Sequence, residues 1–408
     1  MNIKQVNTLL KDTAYKRVSA TEGEEKAALY LKEQCEKLGV ETVTEPFEVD
    51  GDEVLEARLY IDGREIPCTG YRCCGSWDLE APFYYMPGKD QASLSMCRGK
   101  IVMVDTGIGR WLYKDLTEAG AAGFITFNGD ARVPNRDTDA KELRSYVAQG
   151  VKLPGVNLHV TDAVKLIEHG VKTARIVIEQ NEKKALSRNV VAFLPGESDE
   201  YITLTAHYDT VPLSVGAYDN MTGCVGLLGI MEKAARTSKR HYGMRFIFCG
   251  SEERGLLGSK AYTRDHEKEL EQCVLNINLD MIGSTMGRFI SCVSGPESIG
   301  HYLAWRSCIT GFGIETRTGV YSSDSTPFAD RGVPALSFAR LAPSAAATIH
   351  DRFDTVKVIS AGQLLKDIDF IAAFALEMAC AVKCPVERKI PDSVKKDLDN
   401  YLGRVRKE

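Results

Sequence analysis

The sequence lacks the features that mark secreted, membrane-spanning and repetitive proteins. No apolar run approaches the roughly 18 residues of a membrane span. The first residues, MNIKQVNTLLKDTAYKRV, contain no continuous apolar segment of the kind found in signal peptides. Internal repeats and low-complexity tracts are also absent. We therefore expect a soluble cytoplasmic protein that makes no membrane contact.

The sequence also lacks an excess of basic residues. Its 51 Lys and Arg are outnumbered by 56 Asp and Glu, which gives a formal net charge of -5. An acidic balance argues against nucleic acid or an anionic membrane as the main partner. Hydrophobic and charged fractions of 44% and 26% are typical of globular proteins. At 408 residues the chain is too long for one ordinary core, so we predict at least two domains.

Cysteine is present, but the spacing of a redox or zinc motif is not. None of the twelve cysteines forms a C-x-x-C pair. Several lie inside apolar runs, as Cys224 and Cys249 do, where a free cysteine behaves as a small hydrophobic residue. This placement predicts scattered free thiols rather than a disulfide framework.

Hydrophobic periodicity divides the chain into segments of different character. Residues 22–38 place apolar side chains on one face and predict an amphipathic helix. From about residue 188, strand-like and helix-like runs alternate, which predicts an α/β fold with a largely parallel twisted sheet and helices on both faces. The predicted order is an α/β domain formed by residues 1–54 and 180–390, an inserted β-rich domain at 55–179, and a C-terminal tail at 391–408.

Polar residues with metal-ligand chemistry follow several strand-like runs. His207 comes at the end of YITLTAH, and Asp280 ends VLNINLD, where an unpaired buried carboxylate would cost several kcal/mol. Glu253 follows FIFCGSE, Asp219 lies in GAYDN, and His350 lies in TIHDRFDT. Each has a simpler explanation when taken alone. Strand-end hydrogen bonds, helix N-termini that favour acids, and a surface histidine would account for them.

Taken together, these residues indicate a metal site. Open α/β sheets bind ligands at the carboxyl ends of their strands, where all of these residues fall or can reach. Imidazole nitrogen and carboxylate oxygen suit divalent cations such as zinc. Five ligands exceed the four of a tetrahedral zinc ion, whereas one shared carboxylate would divide them between two ions about 3.5–4 Å apart.

The sequence resembles a known enzyme family. The ordered motifs H-Y-D, A-Y-D-N, S-E-E-R-G-L-L-G-S, N-L-D-M-I-G and I-H-D-R-F-D-T resemble those of two-zinc exopeptidases of the aminopeptidase Y type. Relatives of that family include glutamate carboxypeptidase II and the transferrin receptor. The resemblance covers the N-terminal helix and nearly all of residues 185–380. Residues 99–178 resemble the protease-associated domain that is inserted in many members.

The resemblance implies a role for each candidate ligand. His207 and Asp280 would bind one zinc ion, and Glu253 and His350 would bind a second. Asp219 would bridge both ions. Cobalt or manganese could substitute for zinc.

The resemblance also implies the catalytic residues. Asp209 would orient His207, and Glu252 would be the general base that takes a proton from metal-activated water and returns it to the leaving amine. The bond between Asp219 and Asn220 would be cis, as it is in relatives. Ile349 stands where some members carry a tyrosine, so Tyr321 is a candidate for stabilising the oxyanion. Ser325 departs from the family pattern in replacing a histidine.

The function implied is that of an aminopeptidase acting on short peptides with a free N-terminus, with the inserted domain as a partial lid. One alternative is a carboxypeptidase or dipeptidase of the glutamate carboxypeptidase type. It would need clustered arginines to hold an α-carboxylate, and the candidates, Arg110 and Arg340, form no cluster in the sequence. Another alternative is a non-catalytic binding homologue, but such proteins lose ligands that are all present here. Residue preference and oligomeric state stay open.

Overall fold

The chain folds into two compact units. The computed structural model describes residues 1–132, 138–344 and 346–406. One unit consists of Met1–Val49 and Leu186–Glu408, and the other of Asp50–Ala185. The inserted unit extends beyond the boundaries of 55 and 179 that the sequence suggested. The reason is that its first and last long strands pair with each other from their outer ends, where Glu53 lies opposite Asn181.

The secondary structure alternates as the periodicity predicts from about residue 188 onward. The strands are β1 (Glu41–Asp50), β2 (Glu53–Ile61), β3 (Arg64–Ile66), β4 (Thr69–Gly70), β5 (Trp77–Met86), β6 (Ile101–Val104), β7 (Gly123–Asn128), β8 (Gly155–His159), β9 (Thr173–Asn181), β10 (Lys184–Leu194), β11 (Tyr201–His207), β12 (Gly243–Cys249), β13 (Cys273–Leu279), β14 (Arg288–Ser294), β15 (Glu315–Thr318) and β16 (Ala335–Leu341). The α-helices are α1 (Ile3–Asp12), α2 (Glu22–Lys37), α3 (Gln91–Ser95), α4 (Arg110–Glu118), α5 (Ser145–Ala148), α6 (Val160–Glu168), α7 (Thr222–Ala235), α8 (Leu257–Asp265), α9 (Glu297–Thr310), α10 (Ser325–Asp330), α11 (Ala361–Cys380) and α12 (Asp392–Tyr401). Short 3-10 turns occur at Glu252–Arg254, Glu269–Gln272 and Val356–Val358, and a π turn at Ala217–Met221.

The first unit is built on one twisted sheet. Its strand order is β1-β10-β12-β11-β13-β16-β14-β15. The four central strands, β12, β11, β13 and β16, run parallel to one another. Antiparallel pairs adjoin this centre, β10 with β12 and β14 with β16. The predicted α/β fold class is confirmed, and parallel pairing is concentrated at the centre of the sheet.

Helices pack on both faces of this sheet because successive residues of its strands point in opposite directions. In β12, Phe246 and Phe248 join a core with α2, α7 and α11, whereas Ile247 and Cys249 join a second core with α8, α10 and α12. Helix α12 forms most of the C-terminal tail at 391–408, and it packs against the rest of the first unit. Its Val394 and Leu398 are buried in that second core, and full burial of each such side chain contributes about 1.5–3 kcal/mol.

The second unit has a sheet and a core of its own. Its strand order is β3-β2-β9-β5-β6-β7-β8-β4, with parallel pairing from β5 to β8. A separate hydrophobic cluster includes Val102, Leu116 and Phe124. The unit is therefore β-rich, as predicted, and buries its own apolar side chains.

The structure shows the state of the cysteines and the character of the helices. All twelve cysteines lie in the described residues and all are free, which confirms the prediction of scattered thiols. Across the described ranges, no helix combines the length and the apolar character needed to cross a membrane.

Candidate metal centre

The candidate ligands lie at one end of the central parallel strands. Strand β11 ends at His207, and Asp280 directly follows the last residue of β13. Strand β12 lies beside β11, and its chain leads through a short bend to Glu253. Because parallel strands present their carboxyl ends at the same edge, this topology collects residues that are more than 70 positions apart in the sequence.

The first group of potential ligands contains His207, Asp219 and Asp280, whose ligand atoms all lie within 4.8 Å of one another. The Nε2 atom of His207 is 3.1 Å from Oδ1 of Asp219 and 3.7 Å from Oδ1 of Asp280. All three residues are buried. This is the set that the sequence motifs assigned to one metal ion.

The second group contains Asp219, Glu253 and His350. The Nε2 atom of His350 is 3.1 Å from Oδ2 of Asp219 and 3.1 Å from Oε2 of Glu253. The side chain of His350 is half exposed, so this group is the more accessible of the two. Asp219 therefore directs one carboxylate oxygen towards each imidazole, which is the arrangement that a bridging ligand requires.

The chemistry of these residues fits two divalent cations. Oδ1 of Asp280 is buried and has no hydrogen-bond partner among the described residues, an expensive state for a carboxylate oxygen. Four carboxylates, those of Asp219, Glu252, Glu253 and Asp280, surround the imidazole of His207 or that of His350. Bound cations would offset this excess of buried negative charge and supply the missing partner of Asp280.

Glu252 lies beside the ligand groups but belongs to neither of them. Its Oε2 atom is 4.0 Å from Nε2 of His207. Burial raises the pKa of Glu252 well above its ordinary value, and the negative charges of Glu253, Asp324 and Asp280 raise it further against the opposing effect of His207. Its position beside both ligand groups, and outside each of them, makes Glu252 a candidate for proton transfer.

The pKa values of the neighbouring groups show how strongly the site favours positive charge. Burial and the charge of Asp219 raise the pKa of Glu253 to about 7. Burial opposes protonation of His350, but its hydrogen bonds and charge interactions with Asp219 and Glu253 raise its pKa to about 11. Burial opposes ionisation of Asp219, yet its hydrogen bonds with the two histidines hold its pKa below the usual range.

Asp209 contacts the backbone of the glutamate pair more closely than it contacts His207. Its carboxylate accepts hydrogen bonds from the backbone N–H of Glu252 at 2.9 Å and of Glu253 at 3.2 Å. Its separation from Nδ1 of His207 is 3.5 Å, which is long for a hydrogen bond. Asp209 is thus placed to connect the histidine to the bend that carries both glutamates.

Asn220 fixes the chain around Asp219. The bond between Asp219 and Asn220 is cis, as the resemblance implies. The side chain of Asn220 donates to the carbonyl of Leu279 at 2.9 Å and accepts from the backbone N–H groups of Gly223 and Met281, each at 3.0 Å. Glycine is required at 223 because a Cβ atom there would lie 2.4 Å from the Leu279 carbonyl oxygen.

Asp354 is a functional candidate that the motif analysis did not assign. Its buried carboxylate accepts hydrogen bonds from the backbone N–H of Tyr218 at 2.7 Å and of Asp219 at 3.1 Å. The signal was present in the sequence, since Asp354 is the second aspartate of IHDRFDT. Its role could not be read from the motif because its partners are backbone groups.

Tyr321 and Arg340 are the two residues proposed to contact substrate in the first unit. Tyr321 is buried. Burial, with the nearby charges of Asp280 and Asp219, raises its pKa well above the ordinary value, so the phenol stays protonated. Arg340 is not a loop residue but part of β16, and its guanidinium donates to both carboxylate oxygens of Asp367 and to the carbonyl of Gly287.

Several known proteins are similar to this chain in sequence and in architecture. The sequence model of peptidase family M28 matches residues 189–375. Aminopeptidase YwaD of Bacillus subtilis is 27% identical over 405 residues, which cover 94% of this chain and 84% of that protein. Probable leucine aminopeptidase 2 of Aspergillus fumigatus is 26% identical over 290 residues, which cover 67% of this chain but only 57% of that protein. The crystal structure of BSAP, a zinc aminopeptidase from Bacillus subtilis, is 25% identical with a TM-score of 0.77, and the match covers 96% of this chain and 98% of that one.

Proposed function

We propose that the chain is a two-zinc aminopeptidase, on the premise that residues 189–375 match the sequence model of peptidase family M28. It is a metalloexopeptidase, and it releases N-terminal residues from short peptides. The observation that carries the proposal is the position of Asp219, whose two carboxylate oxygens each lie 3.1 Å from a different imidazole. His207 and Asp280 would hold one ion, Glu253 and His350 would hold the other, and Asp219 would contact both. Cobalt or manganese serves as a substitute for zinc.

The protein side chains divide the work of peptide hydrolysis. Zinc, when bound, polarises the scissile carbonyl and lowers the pKa of water towards 7. Glu252 takes a proton from the attacking water and delivers it to the leaving amine, a role that its position beside His207 and outside both ligand groups favours. Asp209 keeps Glu252 in place through the backbone. The protonated phenol of Tyr321 donates a hydrogen bond to the developing oxyanion.

The charge of the site favours an N-terminal ammonium over a C-terminal carboxylate. A carboxypeptidase needs a free guanidinium near the site, but the donors of Arg340 are taken up by Asp367 and Gly287. The carboxylates around the two ligand groups can accept N–H bonds through oxygens that face away from the metal. Charge-assisted hydrogen bonds of this kind contribute about 1.5–3 kcal/mol each.

One short peptide in three forms tests the direction of cleavage. The free peptide, its N-acetylated form and its C-amidated form are compared with zinc-loaded protein. Acetylation should lower kcat/KM by about tenfold or more because it removes the ammonium charge, whereas amidation should change it little. Dependence on the carboxylate alone would favour the carboxypeptidase alternative.

We also propose a role for the inserted unit and a location for the protein. Asp50–Ala185 is a protease-associated domain that restricts the site to short peptides, a proposal supported by the likeness of its motifs to such domains. Equal kcat/KM for dipeptides and long unfolded chains would argue against that restriction. The proposed location is cytoplasmic, supported by twelve free cysteines, and recovery of the native protein from a secreted fraction would contradict it.

A further inference from the structure

A buried glutamate outside all of the metal-binding motifs contacts the bend that carries Glu252. Glu24 lies in the first turn of α2, is 2% exposed, and contacts no cationic side chain among the described residues. Its carboxylate accepts instead from the hydroxyl of Ser187 at 2.8 Å, the backbone N–H of Ala20 at 2.7 Å, and both the N–H and the hydroxyl of Ser251 at 3.0 and 3.1 Å. Ser251 is the residue directly before Glu252.

Ser251 adopts a conformation that needs support from its surroundings. Its φ of 54° and ψ of 33° are left-handed, which is unusual for a residue other than glycine. Such a conformation is strained and persists where neighbouring groups hold it. Here the neighbours are Glu24, through two hydrogen bonds, and the hydroxyl of Ser19, 2.5 Å from the Ser251 hydroxyl.

The hydrogen bonds of the bend continue without a gap into the active-site residues. The N–H of Ser251 is bound by Glu24, and the next two N–H groups, those of Glu252 and Glu253, are bound by Asp209. Three consecutive backbone donors are thus held by two buried carboxylates. This fixes the direction in which the chain leaves the bend, and therefore sends the side chain of Glu252 towards His207 and that of Glu253 towards His350.

We propose that Glu24 is a positioning residue for the general base and for one metal ligand, an inference that rests on the proposed function for the base role of Glu252. Glu24 touches neither substrate nor metal. It acts through Ser251, by keeping the bend in the one conformation that separates Glu252 from Glu253. A misplacement of about 1 Å in a reacting group can lower a rate about 10²-fold, so loss of Glu24 changes catalysis more than substrate binding.

Three variants test this role. Glu24→Ala removes the acceptor, and Glu24→Asp keeps the charge but withdraws the oxygens from Ser251 by one methylene. Ser187→Ala is the matched control, because it removes a donor from the same oxygen of Glu24 and leaves the Ser251 contacts in place. Each variant is loaded with cobalt(II), and its visible absorption spectrum, kcat, KM and thermal unfolding are measured.

Both Glu24 variants should lower kcat by about tenfold or more, with KM changed less than about threefold, and should alter the cobalt spectrum because Glu253 moves. Ser187→Ala should leave the spectrum and kcat as in the wild type. A Glu24 variant that unfolds at a lower temperature but keeps the wild-type spectrum and kcat would overturn the proposal. Glu24→Asp decides the question if Glu24→Ala does not fold. A changed spectrum in a protein that hydrolyses no peptide would refute the proposed function and support the positioning role.

Discussion

At the scale of single residues, Glu252 and Glu253 are adjacent in sequence yet face different parts of the site. Glu253 lies 3.1 Å from His350, within the second ligand group, whereas Glu252 lies 4.0 Å from His207 and outside both groups. Burial raises the pKa of both carboxyl groups. One carboxylate is therefore free for proton transfer, while its neighbour is placed to bind metal.

Substituting each glutamate by glutamine should separate these two roles. Glu252→Gln should keep its zinc content near that of the wild type while kcat falls by about two orders of magnitude or more, because an amide cannot accept the proton. Glu253→Gln should lose zinc, since an amide is a weaker ligand than a carboxylate. Elemental analysis of dialysed protein measures the zinc content, and steady-state kinetics measure kcat. Exchanged phenotypes would reverse the assignment.

At the scale of elements, the N-terminal segment organises loops that lie far along the chain. Arg17 is fully buried. Its guanidinium donates to the backbone carbonyls of Thr13 and Tyr15 in its own segment. It also donates to those of Tyr208, Val215 and Gly216, in the loop that leads from His207 to Asp219. With Glu24 at the bend before Glu252, this segment contacts the two loops that lead to Asp219 and to Glu253.

The contacts between elements explain which residues could be predicted from the sequence and which could not. The grouping of His207, Asp219, Glu253, Asp280 and His350 could be predicted because their motifs occur in a recognisable order. His207 and Asp280 are also unusual side chains for the ends of buried strands. Arg17, Glu24 and Asp354 were not, because each binds backbone groups, and no side-chain pattern records where a backbone group will lie. The antiparallel pairing of β14 with β16 could not be predicted either. The direction of pairing depends on strands that are distant in sequence.

A histidine beside the edge strand β1 makes the stability of the fold depend on pH. His266 follows α8, and its ring nitrogens lie 3.1 Å from Glu45 of β1 and 3.0 Å from Glu269. The ring also stacks on Tyr262. The hydrogen bond with Glu45 is the main cause that raises the pKa of His266 to about 9, with burial opposing and Glu269 adding. His266 is thus charged at neutral pH and connects β1 to the region after α8.

Because the folded pKa is raised, this charge stabilises the fold fully below the unfolded pKa of about 6.5, and the contribution is lost as pH rises through about 9. His266→Gln should lower the free energy of unfolding by up to about 1 kcal/mol near pH 6. The difference from wild type should shrink by pH 10. Denaturant unfolding across this range measures it, with His301→Gln at an exposed position as the control. A difference that is constant with pH would show that the ion pairs do not matter.

At the scale of the whole molecule, the chain folds into two units. Each has its own sheet and its own hydrophobic cluster. Both groups of candidate ligands lie in the unit formed by Met1–Val49 and Leu186–Glu408, and within the described residues no comparable group occurs in Asp50–Ala185. Both candidate ligand groups are therefore contained in the first unit, and the proposed stoichiometry of two ions depends on the site around Asp219.

The central claim is that Asp219 joins two metal ions in one site, and zinc titration of the metal-free protein tests it most directly. Wild-type protein should bind two ions per chain, with activity restored at the second equivalent. Asp219→Ala should weaken both ions, because each of its oxygens faces a different imidazole, whereas Asp280→Ala should mainly weaken one. Full activity at a single equivalent, or an Asp219→Ala variant that still binds one ion with wild-type affinity, would contradict the account.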